Sequence, residues 1–260
     1  MQDRDLQIVT STLYHPDLQL IAENTLLSGD ARPSSLYMLK YHQERMLAAI
    51  SDLPTAPQVM HDAIADAKGL DRLRELAAAT VTTGPSKIRF ALDCHGELTC
   101  TALFLSAGVL LRESAFFPAR LSCPDSVPES DIKWMIGVSQ NEIRPDFITK
   151  HKTNLRSQYA KVMEDAPYVD PTIHKAEMLC VNIEQQVMEG CITTPYFWKN
   201  GTWITPRAEC GGNLGTTRRW ALEKGLAVKG IVMKEDLTIG QIIVVSNGVW
   251  GFGFGRIIAV

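Results

Sequence analysis

Apolar residues along this chain alternate in some stretches and recur every three to four positions in others, so short elements of both kinds are expected. Residues 7–14, Gln-Ile-Val-Thr-Ser-Thr-Leu-Tyr, are rich in β-branched side chains and predict a strand. From Leu36 to about Asp52, the residues Leu36, Leu39, Met46, Leu47 and Ile50 recur at helical spacing behind a cap at Ser34 or Ser35. A second helix is expected from about Ala56 to Ala79, broken near Gly69. Lys87–Leu92 and Leu98–Leu105 read as strands joined by a turn at His95-Gly96-Glu97. Residues 116–145 hold Pro118, Pro124, Pro128 and Pro145 with little periodicity, which suggests a linker. A short helix at Leu155–Glu164, strands at Met178–Val181 and around Val187, and a strand at Ile242–Val245 follow. Between the last two lies a hairpin, Tyr196–Trp198 with Thr202–Thr205, whose Asn200-Gly201 supplies the positive φ angles of a type I′ turn. The pattern is α+β in two parts: an N-terminal α/β domain at 1–118, a linker at 119–145 and a C-terminal domain at 146–260.

Composition narrows the function classes. With 260 residues, 45% hydrophobic and 21% charged, the chain can bury a core of ordinary size. A net charge of −3 gives no reason to expect nucleic acid or an anionic membrane as partner. No run of eighteen apolar residues occurs, and Met1-Gln-Asp-Arg-Asp5 is too charged for a secretory signal, so a cytoplasmic protein is expected. The six cysteines are scattered without a Cys-x-x-Cys pair or a histidine at ligand spacing. Free thiols and no metal site are therefore expected.

Candidate chemistry begins at Cys210-Gly-Gly-Asn-Leu-Gly-Thr-Thr-Arg-Arg219, a glycine-rich turn that runs into the helical stretch Trp220–Gly225. The first N–H groups of a helix lack acceptors and lie at the positive end of its dipole. Such a turn can hold a phosphate, and Thr216 and Thr217 add hydroxyls. Taken alone, it is also how glycine shapes an ordinary loop. Lys152 could equally be a solvated lysine beside Lys150, Glu189 a surface glutamate closing a hairpin, and Arg45 a solvated arginine on a helix. His42 falls between Leu39 and Met46 on the apolar face and reads as a packed histidine.

Order separates these alternatives. His151-Lys152-Thr153, Glu189-Gly190, Gly212-Asn-Leu-Gly-Thr-Thr-Arg218 and Ser246-Asn-Gly248 follow the His42-x-x-Arg45 spacing along the chain. Together they resemble the class IV pyridoxal-phosphate enzymes of fold type IV, and most closely fungal proteins similar to 4-amino-4-deoxychorismate lyase. The resemblance covers nearly the whole chain. It implies a two-domain fold, with a small N-terminal α/β domain and a larger C-terminal domain built on a barrel-like sheet with helices, and a homodimer acting on a small-molecule amine with pyridoxal 5′-phosphate. It also implies that Lys152 forms the aldimine with the cofactor aldehyde and later moves the proton. Glu189 would face the pyridine nitrogen, Arg45 with Gly215, Thr216 and Thr217 would hold the phosphate, and the Gly248 N–H would add a contact. The lyase reaction would expel pyruvate and leave 4-aminobenzoate; an aminotransferase acting on an amine, a D-amino acid or a branched-chain amino acid is the alternative. Where many relatives carry an arginine after Ser-Asn-Gly this chain has Trp250, so Arg156, Lys87 and Arg89 are the candidate partners for a substrate anion.

Overall fold

β1 (Ile8–Tyr14) leads into four helices, α1 (Ala22–Leu26), α2 (Leu39–Asp52), α3 (Gln58–Ile64) and α4 (Asp66–Thr80). The strands β2 (Ser86–Leu92) and β3 (Leu98–Phe104) and the short α5 (Glu113–Phe116) follow. These come from a computed structural model that describes residues 6–81, 83–105 and 111–260. The chain divides into two compact units, Met1–Phe117 with His151–Leu155, and Pro118–Lys150 with Arg156–Val260.

In the first unit β2 is the central strand, antiparallel to β1 and to β3. Side chains alternate across a strand, so Ile8, Ile88, Phe90, Leu92 and Leu98 share one face. There they pack with Leu39, Met46 and Ile50 of α2, Met60 and Ile64 of α3, and Leu73 of α4. Two boundaries differ from the sequence expectation. α2 starts at Leu39, and neither Ser34 nor Ser35 caps it. Met38 takes a left-handed φ of 50° and gives its N–H to Asn24 Oδ1 at 3.0 Å, while the buried Asn24 amide ties down the Ser34 carbonyl at 2.8 Å. The second helix breaks at Ala65, just before Asp66 with its φ of 58°, and not at Gly69. Gly69 lies within α4 because a Cβ there would sit 2.0 Å from the Ile64 carbonyl oxygen.

The second unit holds β4 (Ile132–Ile143), α6 (Phe147–Lys150), α7 (Ser157–Glu164), β5 (Lys175–Asn182), β6 (Val187–Gly190), β7 (Thr194–Lys199) and β8 (Thr202–Pro206). α8 (Thr216–Glu223), β9 (Val228–Gly230), β10 (Ile242–Asn247) and β11 (Gly251–Ala259) complete it. One curled eight-stranded sheet runs in the order β6-β5-β4-β11-β10-β7-β8-β9. β4 is parallel to both β5 and β11. This strand occupies the second half of the stretch expected to be a linker. The prolines at 118, 124, 128 and 145 bracket β4 and do not interrupt it. A parallel strand packed on both faces lacks the clean alternation by which strands are recognised. Trp134, Ile136, Val138, Leu179, Val245 and Ile257 form its core. The β7–β8 hairpin turns through Asn200 and Gly201 at φ of 52° and 77°, as their sequence implies. α7 begins at Ser157 and not at Leu155, because residues 151–155 belong to the first unit. Among the described residues no helix is long and apolar enough to cross a membrane, and no cluster of His, Cys, Asp and Glu is arranged for a metal ion.

A buried acid braces the turn after β6. Glu177 of β5 is fully buried, and no cation among the described residues pairs with it. Its Oε1 accepts the Met178 N–H at 2.8 Å and its Oε2 the Ile192 N–H at 3.1 Å. A side chain on Gly190 would meet Glu177 Oε2 at 2.7 Å, so glycine is needed there. Burial, partly offset by those hydrogen bonds, pushes the Glu177 carboxyl up from 4.5 to about 7. The folded chain thus holds this proton more tightly than the unfolded chain. The stabilisation is complete below pH 4.5 and is lost as pH rises through about 7, by about 3 kcal/mol at most. Glu177→Gln abolishes this titration. In urea unfolding at pH 5 and pH 8, the variant should gain on the parent by up to about 3 kcal/mol at the higher pH. Identical pH dependence in the two proteins would refute the assignment.

Candidate active site

Lys152 reaches the first unit from far along the chain. Its carbonyl accepts the Val9 N–H at 2.9 Å, Asn154 N–H donates to the Gln7 carbonyl at 3.1 Å, and Ile8 bridges Thr153 antiparallel. The Asn154 side chain closes the end by accepting the Gln7 N–H at 2.8 Å. The 151–155 segment is therefore laid along β1. Lys150, the neighbouring lysine, ends α6 and lies outside it.

Arg45 and His42 lie three residues apart on α2, and both meet the Thr10 hydroxyl of β1. Arg45 Nη2 donates to Thr10 Oγ1, and His42 Nδ1 lies 2.6 Å from the same oxygen. With the hydroxyl accepting from the guanidinium, its proton goes to Nδ1, which leaves the His42 hydrogen on Nε2. Burial, and then the charges of Arg45 and Lys152, hold the His42 pKa well below its usual 6.5, so the ring is neutral. Desolvation lowers Arg45 to about 10, which still leaves a cation at neutral pH. Among the described residues no carboxylate pairs with Arg45, and both Arg45 Nε and His42 Nε2 are buried without an acceptor. A desolvated cation beside unanswered donors is suited to an anion.

The second unit carries the other residues singled out. Glu189 of β6 is 7% exposed, and the Tyr159 hydroxyl donates to its Oε1 at 2.6 Å. Burial first, and then the Glu189 charge, raise the Tyr159 pKa far above its usual value, so this hydroxyl remains a donor. Arg156, expected as a partner for a substrate anion, instead lies 4.3 Å over the Tyr159 ring and donates to the Cys191 carbonyl. It braces Tyr159 and the turn after Glu189. The pair is spaced i, i+3 at the start of α7, a signal present in the sequence but shared by many surface pairs. Lys87 is exposed and Arg89 half-buried on β2, both on the face away from the α2–α4 core.

At α8 the N-cap is Gly215, and no side chain caps the helix. A Cβ on Gly215 would meet Thr194 Oγ1 at 2.8 Å, so only glycine lets that hydroxyl approach. Thr216 Oγ1 is buried without a partner. Thr217 Oγ1 lies 2.8 Å from Ser246 Oγ, which in turn lies 2.9 Å from the Tyr196 hydroxyl. This hydroxyl chain was not legible beforehand, since Tyr196 and Ser246 are fifty residues apart. Gly248 sits in the turn after β10, where Asn247 Oδ1 takes the Val249 and Trp250 N–H groups at 2.9 and 2.8 Å. Trp250 packs against the sheet core with Lys175 Nζ 4.5 Å over its ring. Taken unit by unit, the groups are of the kinds pyridoxal phosphate takes: an amine and a desolvated cation in the first, an uncapped helix start and a buried carboxylate in the second.

Comparison with known proteins agrees. The aminodeoxychorismate lyase of Saccharomyces cerevisiae is 30% identical over 137 residues, which are 47% of this chain and 37% of that protein. This match thus spans little more than a third of the yeast protein's length. A Schizosaccharomyces pombe protein named "Putative aminodeoxychorismate lyase" is 26% identical over 231 residues, 86% of this chain and 84% of that one. Among solved structures, a "Putative amino-acid aminotransferase" from Mesorhizobium loti superposes with a TM-score of 0.67 at 20% identity, covering 98% of this chain and all of that one. That likeness concerns the fold. The model of the amino-transferase class IV family matches residues 25–254, and the chain belongs to that family.

Proposed function

We propose that the chain is a pyridoxal-phosphate-dependent 4-amino-4-deoxychorismate lyase, which splits its substrate into pyruvate and 4-aminobenzoate. The observation that carries the reading is Arg45, a desolvated guanidinium with no acid paired to it among the described residues, in the same unit as Lys152. In this reading Lys152 holds the cofactor through its Nζ. Arg45, the α8 start at Gly215, Thr216 and Thr217, and the Gly248 N–H would hold its phosphate, and Glu189 would answer its ring nitrogen. When bound, pyridoxal phosphate supplies an electron sink for the carbon beside the substrate nitrogen. Lys152 Nζ would take the proton from that carbon, acting as the general base. Tyr159 keeps Glu189 oriented by donating its hydroxyl to Oε1. One molecule becomes two, so no keto-acid acceptor is consumed. A cytoplasmic homodimer acting on this small amine completes the proposal.

A class IV aminotransferase acting on an amine, a D-amino acid or a branched-chain amino acid is the second reading. Trp250 favours it, because an apolar ring under Lys175 stands where an arginine would suit a doubly anionic substrate.

Three outcomes are expected. The purified protein should be yellow, and Lys152→Ala should lose both the colour and at least about a hundredfold of activity. Arg45→Ala should weaken pyridoxal phosphate binding, read by fluorescence titration, while pyridoxal without its phosphate binds both proteins alike. The parent should release pyruvate from 4-amino-4-deoxychorismate with no keto acid present. Amino-group transfer to a keto acid without pyruvate release would favour the second reading instead. Sedimentation of a monomer would remove the dimer.

A further inference from the structure

The segment that carries Lys152 has a second attachment besides its backbone pairing with β1. His151 is buried, and its Nε2 lies 2.9 Å from Asp52 Oδ2. Asp52 is the last residue of α2. A carboxylate there opposes the helix dipole, at a cost of about 0.3–1 kcal/mol, unless a cation or N–H donor answers it. His151, ninety-nine residues later in the chain, is one group that answers it.

α2 also carries Arg45, seven residues before Asp52 and so about 10 Å along the axis. That helix is fastened to β1 where Arg45 and His42 meet Thr10. The residue before Thr10 holds the Lys152 carbonyl. A closed frame results: β1 to the lysine segment, His151 to Asp52, along α2 to Arg45, and back to β1 through Thr10. Backbone hydrogen bonds alone fix a strand poorly against slippage, because the peptide repeat is the same in every register. A slip of one residue would turn His151 away from Asp52 and Lys152 to the opposite face. Resting on the function proposed above, we infer that His151 and Asp52 are a positioning pair. They lock the register of the 151–155 segment, and with it the separation between Lys152 Nζ and the phosphate-holding Arg45.

The test uses the full chain and pyridoxal phosphate as probe, with Asp52→Asn, His151→Gln and the double variant. Lys152 attachment is read by borohydride reduction and the mass of the labelled peptide. Each single variant should take up the cofactor on Lys152 about tenfold to a hundredfold more slowly or weakly. The melting temperature of the cofactor-free protein should stay within about 4 °C of the parent, which excludes loss of fold as the cause. The double variant should be no worse than either single, and Asp52→Glu should recover part of the loss. Uptake equal to the parent in both single variants, or losses that add in the double, overturns the inference while leaving the proposed function intact. A parent that attaches no cofactor to Lys152 overturns both.

Discussion

The Val9 N–H to Lys152 carbonyl hydrogen bond, 2.9 Å long, is the contact on which the candidate chemistry depends. It places a lysine from the middle of the chain beside the first strand, in the unit that also holds Arg45. The chain crosses from one unit to the other after Phe117, returns for the five residues His151–Leu155, and leaves again. Such a short return can be held only if its few backbone groups find fixed partners, and Gln7, Val9 and Asn154 supply them. Register is the property at stake, since each residue of slip reverses the side a lysine faces.

Desolvation acts on ionisable groups in each unit. In the first unit a guanidinium is taken out of water with, among the described residues, a hydroxyl and a neutral imidazole to answer it. Its charge is therefore available to an anion. In the second unit two carboxyls on neighbouring strands diverge. Glu177 meets backbone N–H groups and the Thr193 hydroxyl, and burial still raises its pKa. Glu189, its neighbour on β6, accepts the Tyr159 hydroxyl. Arg156 adds its cation over the Tyr159 ring and secures the Cys191 carbonyl.

The hairpins and the amphipathic helices were legible because their signals are local. Asn200-Gly201 demands positive φ wherever it occurs, and the apolar spacing of α2 closes within a few turns. β4 was not legible, because a parallel strand covered on both faces carries no simple alternation, and its pairing with β11 lies over a hundred residues away. The helix break at Ala65 was displaced for a similar reason. Gly69 looks like a breaker until the close approach of the Ile64 backbone shows what glycine is for.

Residue identity and order determined the candidate amine, acid, guanidinium and glycine-rich turn, because a motif is a linear pattern and survives without coordinates. Only the tertiary structure decided the neighbours that give those groups their chemistry: Thr10 beneath Arg45, Tyr159 on Glu189, Ser246 between Thr217 and Tyr196, and Asp52 on His151. Each of these contacts joins side chains separated by about 30 to 100 positions, and proton affinity depends on distance in space and exclusion of water. Neither quantity is written in the order of residues.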